Sequence, residues 1–213
     1  MHESSLFHMT RFRDQFLVGS QGRPLVIADL GSYDVNGSYR PLFERPPWRY
    51  LGLDVSAGPN VDIVLSNPYK WRALSSNSID VMISGQAFEH IEYFWLTMLE
   101  LSRVLKPGGW CCLIAPSSGP EHRFPVDCWR FYRDGMRALM SYAGLEVLDL
   151  FTSHRQTDWQ DDSGDWQDSV VVARQPDKFF GRRWRDWLRR RCGGLQHSFD
   201  YESEKSSGEI NLD

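Results

Sequence analysis

Three clusters in the 213-residue chain combine residue types and spacings that can do chemistry. The first is Asp29-Leu-Gly31-Ser32-Tyr33-Asp34-Val35-Asn36-Gly37, at the end of the apolar run Pro24–Leu30. A buried strand that ends in Gly lets the backbone turn tightly and approach a ligand closely. About two dozen residues later, Asp54 closes a second apolar run, where doubly wound sheets send a carboxylate to ribose hydroxyls. Dinucleotide enzymes and adenosylmethionine enzymes share this arrangement, and so would a plain strand–turn–helix. The chain lacks GxGxxG here, which argues against the pyrophosphate cradle of a nicotinamide enzyme.

The second cluster is Ser84-Gly-Gln86-Ala-Phe-Glu89-His90, after a fourth apolar run. His90 is a candidate general base because imidazole titrates near neutral pH; the competing reading has Glu89-His90 capping the next helix. The third runs from Pro116 to Tyr132 and carries His122, Asp127, Trp129 and Arg130. A connection this long and this rich in polar and aromatic groups is usually functional, although Trp129 and Phe131 would also pin a purely structural loop. His122 and Asp127 join His90 as candidate catalytic residues. The three have no diagnostic ligand spacing, so no metal is assigned.

These clusters need strands that bring them to one edge. Tyr50–Asp54, Val61–Leu65, Ile79–Ser84 and Trp110–Ala115 follow the first strand as short apolar runs, the mark of strands buried on both faces. Residues 92–105 carry Phe94, Met98, Leu101 and Leu105 on one helical face, and Lys106-Pro-Gly-Gly109 stops that helix. Helical spacing also marks residues 4–18 and 133–143, and residues 145–152 and 169–174 read as the last two strands. The order predicts an α/β fold: a Rossmann-like, seven-stranded, mostly parallel sheet with helices on both faces and an antiparallel last strand. An N-terminal helix within residues 1–20 would pack on the sheet or lid a pocket, ahead of a main domain at 21–176.

Composition narrows the class. A formal charge of −4 gives no reason to expect nucleic acid. Four cysteines without a CxxC pair suit free thiols in a reducing compartment. The start, MHESSLFHMTRF, lacks the apolar core of a secretory signal, and a cytoplasmic location follows as the expectation. Residues 177–192 are expected to form a basic, aromatic helix, with seven basic residues and one acid between Lys178 and Arg191. Either it packs its aromatic face on the domain, or it docks on an anionic partner or the inner membrane surface as a peripheral element. Residues 193–213 are polar and acidic and are expected to be disordered.

The string from Asp29 through Asp54 to Leu101-Ser-Arg-Val-Leu-Lys-Pro-Gly-Gly109 resembles the class I S-adenosylmethionine-dependent methyltransferases of the type 11 kind. The resemblance spans roughly residues 25–175. It is similar in particular to bacterial members with Asp-Val-Asn-Gly-Ser-Tyr-Arg after the first strand and His-Arg-Phe-Pro-Val-Asp-Cys-Trp-Arg-Phe-Tyr after the fifth. Such members often stand beside sugar- and polysaccharide-modifying enzymes. The resemblance implies S-adenosylmethionine as cofactor and a small-molecule or glycoconjugate methyl acceptor, with an oxygen or nitrogen nucleophile. It implies that Asp29, Gly31, Ser32 and the Gly37 turn hold the methionine part, that Asp54 takes the ribose, and that Ser84 and Gln86 line the methyl side. Tyr33 occupies the family's second Gly position, and Ser66 or Asn67 stands where the family holds the adenine amine with Asp; both keep a hydrogen-bonding group. An NAD(P)-dependent oxidoreductase and a non-catalytic binding subunit with this fold are the alternatives.

Overall fold

Short runs dominated by aliphatic residues become the central strands, because a parallel strand is covered on both faces. Thus β1 (Val26–Leu30) is almost wholly buried, as is β4 (Ile79–Gly85). With β2 (Arg49–Asp54), β3 (Ile63–Val64), β5 (Leu105–Pro116), β6 (Glu146–Thr152) and β7 (Asp168–Arg174), they form one seven-stranded sheet. Its order is β3-β2-β1-β4-β5-β7-β6. The first five strands pair in parallel, and β7 lies antiparallel between β5 and β6. This computed structural model describes residues 2–153, 159 and 161–177, so the expected basic helix and acidic tail lie outside the described residues. The described residues fall in one compact unit.

Each face has its own apolar core. On one, α3 (Phe94–Val104) and α4 (Arg133–Ala143) bury Met98, Leu101, Met136 and Met140 against β1, β4 and β5. The other face has no long helix from the βα connections: α2 (Arg40–Phe43) is a single turn. The N-terminal helix α1 (Glu3–Phe16) takes that place, burying Met9 and Phe12 with Tyr39, Phe43, Trp48 and Tyr50. The early aromatics of the sequence do the work of the missing helix, each ring covering what several aliphatic side chains would. No helix of the described residues is long and apolar enough to cross a membrane.

Lys106-Pro-Gly-Gly109 departs from the turn expected of it. α3 passes directly into β5, and these residues form a bulged lead-in whose register shifts between Ile79 and Val81 on β4. Gly108 takes a positive φ of 72° and donates its N–H to the Gln175 carbonyl at 2.8 Å, so the segment stays tied to the sheet.

The parallel order brings the carboxyl ends of β1, β2, β4 and β5 to one edge. Because β7 is antiparallel, its first residue reaches the same edge, where Asp168 pairs with Pro116. A short helix, α5 (Ser163–Trp166), leads into it.

Candidate active site

The turn after β1 is closed on itself. Gly31 has φ +82°, and an added Cβ would lie 2.4 Å from the Ala87 Cβ. Its N–H and that of Ser32 both donate to the Leu53 carbonyl, at 2.9 and 3.1 Å. Tyr33 N–H donates to Asp54 Oδ2 at 3.2 Å, Asp34 N–H to the Pro59 carbonyl, and Gly37 N–H to Asp34 Oδ1 at 2.7 Å. The turn therefore keeps these N–H groups for its own bonds instead of presenting them to a ligand, a correction to the expectation from the Gly pattern. Beside the turn, the Tyr33 ring packs on Gly58, where a Cβ would come within 2.2 Å of it. Ser32 is buried, and its hydroxyl donates to the Asn60 carbonyl at 3.3 Å.

Asp29, only 2% exposed, accepts a short hydrogen bond from the Tyr50 hydroxyl. Burial pushes its carboxyl up to about 7, with the Tyr50 hydroxyl pulling the other way. A folded-state pKa raised above the unfolded value gives stability that is full below about pH 4 and lost as pH rises through 7. The Asp29→Asn variant keeps the acceptor oxygen and cannot ionise. Its stability relative to wild type is expected to gain up to about 4 kcal/mol between pH 4 and 7.5. Urea unfolding at several pH values checks this, and parallel curves for the two proteins would contradict it. Gly31→Ala is expected to cost about 1–3 kcal/mol from the positive φ alone, with the Ala87 contact adding to it; the same unfolding measurement reads it.

At the end of β2, Asp54 is half-buried; besides the Tyr33 N–H it accepts the Ser56 N–H at 3.0 Å, and Val55 beside it is 41% exposed. Ser66 is exposed, while Asn67 Oδ1 accepts the Tyr69 N–H at 2.7 Å. Ser84 is fully buried and donates to the Leu30 carbonyl at 2.7 Å, so its hydroxyl ties β4 to β1. Gln86 has φ +58° and donates from Nε2 to Asp168 Oδ1 at 2.7 Å. Asp168 also accepts from Ser4 Oγ at 2.7 Å, and Ser5 Oγ meets the Tyr39 hydroxyl at 2.5 Å. The amino end of α1 is thereby tied to this edge, with the Tyr39 hydroxyl lying where a side chain on Gly85 would begin.

The long connection after β5 folds back over the residues following β4. The Cys128 N–H donates to the Glu89 carbonyl at 2.8 Å, and Phe131 packs on Phe88 and Phe94. This brings the His90 and His122 rings edge to face, with centroids 4.8 Å apart. His90 Nδ1 lies 2.5 Å from the Val126 carbonyl, and burial lowers the pKa of the ring. His122 stands against Trp166, centroids 4.6 Å apart. Arg130 forks onto Asp127 at 2.6 and 2.8 Å and holds its carboxyl well below the usual range. Asp127 Oδ2 also accepts the His122 N–H at 2.8 Å and lies 3.3 Å from His122 Nδ1. Asp127 thus fixes the position of His122 mainly through the backbone.

Glu89 entered the sequence reading only beside His90, as part of the competing capping assignment. It is fully buried, neither carboxylate oxygen has a hydrogen-bond partner, and burial pushes its carboxyl up to about 8. Its only signal in the sequence was adjacency to His90. The contribution of α1 to the edge had no signal beyond helical periodicity.

Residues 35–113 match the family model of a methyltransferase domain. Among solved structures, the chain is similar to the 1,6-didemethyltoxoflavin-N1-methyltransferase of Burkholderia thailandensis, solved with 1,6-didemethyltoxoflavin and S-adenosylhomocysteine. The TM-score is 0.62 at 16% identity, over 82% of this chain and 80% of that one. A chain from the Haloferax volcanii complex of the Trm112 methyltransferase activator gives 0.59 at 18% identity, over 83% and 92%. An S-adenosylmethionine-dependent methyltransferase of Aquifex aeolicus gives 0.52 at 17%, over 70% and 81%. At these identities the likeness speaks for the fold. No curated protein matches the chain by sequence.

Proposed function

We propose that this S-adenosylmethionine-dependent methyltransferase passes its methyl group to an oxygen nucleophile, a hydroxyl of a sugar or glycoconjugate, whose proton is removed at the Glu89–His90–His122 cluster. The observation that carries the reading is that cluster, two imidazoles and a buried carboxylate at the edge that also holds Asp29 and Asp54. A hydroxyl is a poor nucleophile until its proton has somewhere to go, whereas a neutral amine needs no such group. The connection that bears His122 also exposes Phe124, Trp129 and Tyr132, flat apolar surfaces on which a sugar face can lie.

In this reading, Asp29 and the carbonyl side of the Gly31–Gly37 turn face the methionine part of the cofactor, and Asp54 accepts from the ribose hydroxyls. Ser66 lies beyond β3 for the adenine, with Asn67 already engaged by its own turn. Gln86 lines the methyl side. The closed turn supports the cofactor assignment. A pyrophosphate needs free N–H donors, and these are consumed here. The ammonium and sulfonium of S-adenosylmethionine are cationic and need acceptors, which argues against the nicotinamide alternative. When bound, the cofactor supplies the reactive methyl; the chain supplies alignment and the proton acceptor. Labelled cofactor incubated with saccharide and with amine pools tests the acceptor class, and label appearing only on amines would remove the hydroxyl reading.

The basic stretch 178–191 is proposed as a peripheral anchor to anionic membrane surface. Loss of co-sedimentation with anionic liposomes on truncation at Lys178 is the expected result; absence of binding by the full chain would leave the packing alternative.

A further inference from the structure

We propose that Glu89, His90 and His122 form a binding site for one divalent transition-metal ion, which takes the acceptor oxygen in an open coordination position. The role given to the ion rests on the hydroxyl-acceptor reading; the site itself does not.

Glu89 is 0% exposed, yet both its oxygens lack a hydrogen-bond partner. A carboxylate taken out of water without partners is costly, and buried charges are normally paired or bound to a metal. What faces it is a pair of imidazoles. One donor atom from each of the three residues lies within 4.8 Å of the others. Glu89 Oε1 and His90 Nε2 are 3.7 Å apart, too far for a hydrogen bond. Two ligands on one ion, each about 2.1 Å from it, stand roughly 3.4 Å apart at a tetrahedral angle. The observed spacing is close to that of two ligands awaiting a common ion.

The surroundings fit as well. The His90 Nδ1 contact with the Val126 carbonyl fixes the proton on Nδ1 and leaves the Nε2 lone pair toward Glu89. Metal-bound histidines are usually oriented in this way. His122 is held from behind by Asp127, which is itself fixed by Arg130, and from the side by Trp166. Two nitrogen donors and one carboxylate suit zinc, iron, cobalt or manganese, and a three-ligand protein set leaves room for a substrate atom. An ion there would act as a Lewis acid, lowering the pKa of a bound hydroxyl so that its proton leaves before the methyl arrives. With all three side chains bound to the ion, the proton would pass to solvent water and not to a free imidazole.

The test uses the full chain, stripped with EDTA and titrated with zinc chloride by calorimetry. A parallel sample is loaded with cobalt(II) and read by its visible absorption. One ion per chain is expected, with a cobalt band. Glu89→Gln and His122→Ala are each expected to weaken zinc binding by more than about a hundredfold and to abolish the band. Asp162→Asn, in the other described group with ligand geometry (His2, Asp161, Asp162), is expected to leave both unchanged. Should Glu89→Gln fail to fold, His122→Ala on its surface connection still decides. Titration of the same samples with S-adenosylhomocysteine separates the two readings: cofactor binding without stoichiometric zinc overturns the metal site alone. Zinc binding that survives both substitutions, or moves with Asp162, overturns it equally.

Discussion

His90→Ala and His122→Ala are each expected to lower methyl transfer at saturating cofactor by about 10²–10⁴-fold, with cofactor affinity unchanged. Both rings sit at the carboxyl edge of the sheet, one after β4 and one after β5, and touch each other there. Neither is on the strand that bears Asp54 or in the Gly31 turn, so binding and turnover should separate. Removing a proton acceptor raises the barrier for the hydroxyl without changing how the cofactor is held. Removing a metal ligand does the same by another route, so the two histidines should act as a unit and the double variant should be little worse than either single one. Near-wild-type turnover in both variants across pH would remove the cluster from the chemistry. The acceptor would then be an amine already neutral at working pH.

Asp54→Ala is expected to weaken cofactor binding about ten- to a hundredfold, the worth of roughly 1.5–3 kcal/mol for hydrogen bonds to a charged group. Asp54 also ties the Tyr33 and Ser56 N–H groups, so part of the loss would come from a loosened loop. Asp54→Asn separates the two effects, because it keeps an acceptor oxygen and loses the charge. Calorimetric titration with S-adenosylhomocysteine reads both variants, and unchanged affinity in folded Asp54→Ala would take Asp54 out of the site.

The sheet was legible because its strands are apolar runs bounded by Gly, Pro or Asp, and burial on both faces leaves no polar alternation to confuse the period. The edge was legible for the same reason: Asp29 and Asp54 lie at the carboxyl ends of β1 and β2, and His90 and His122 follow β4 and β5. Properties that depend on contacts distant in sequence were not legible. Ser84 reads as a polar group at a strand end, yet its hydroxyl turns inward to the Leu30 carbonyl across β1. The Gly31 turn reads as a backbone open to close approach by a ligand, yet Leu53, Asp54 and Pro59 from the β2 side take its N–H groups. Glu89 stood out only as a possible cap because local sequence cannot show that the Pro116–Tyr132 connection folds over it and excludes water. Likewise Lys106-Pro-Gly-Gly109 carries every local sign of a free turn, while the sheet holds it in place through Gln175.

The central claim, that this edge is an S-adenosylmethionine site, is met most directly by titrating the full chain with S-adenosylhomocysteine and, separately, with NADH in a calorimeter. One equivalent of S-adenosylhomocysteine per chain, weakened in Asp54→Ala, with no heat from NADH, is the predicted result. Saturable NADH binding, or no binding of S-adenosylhomocysteine by the folded protein, would contradict the account.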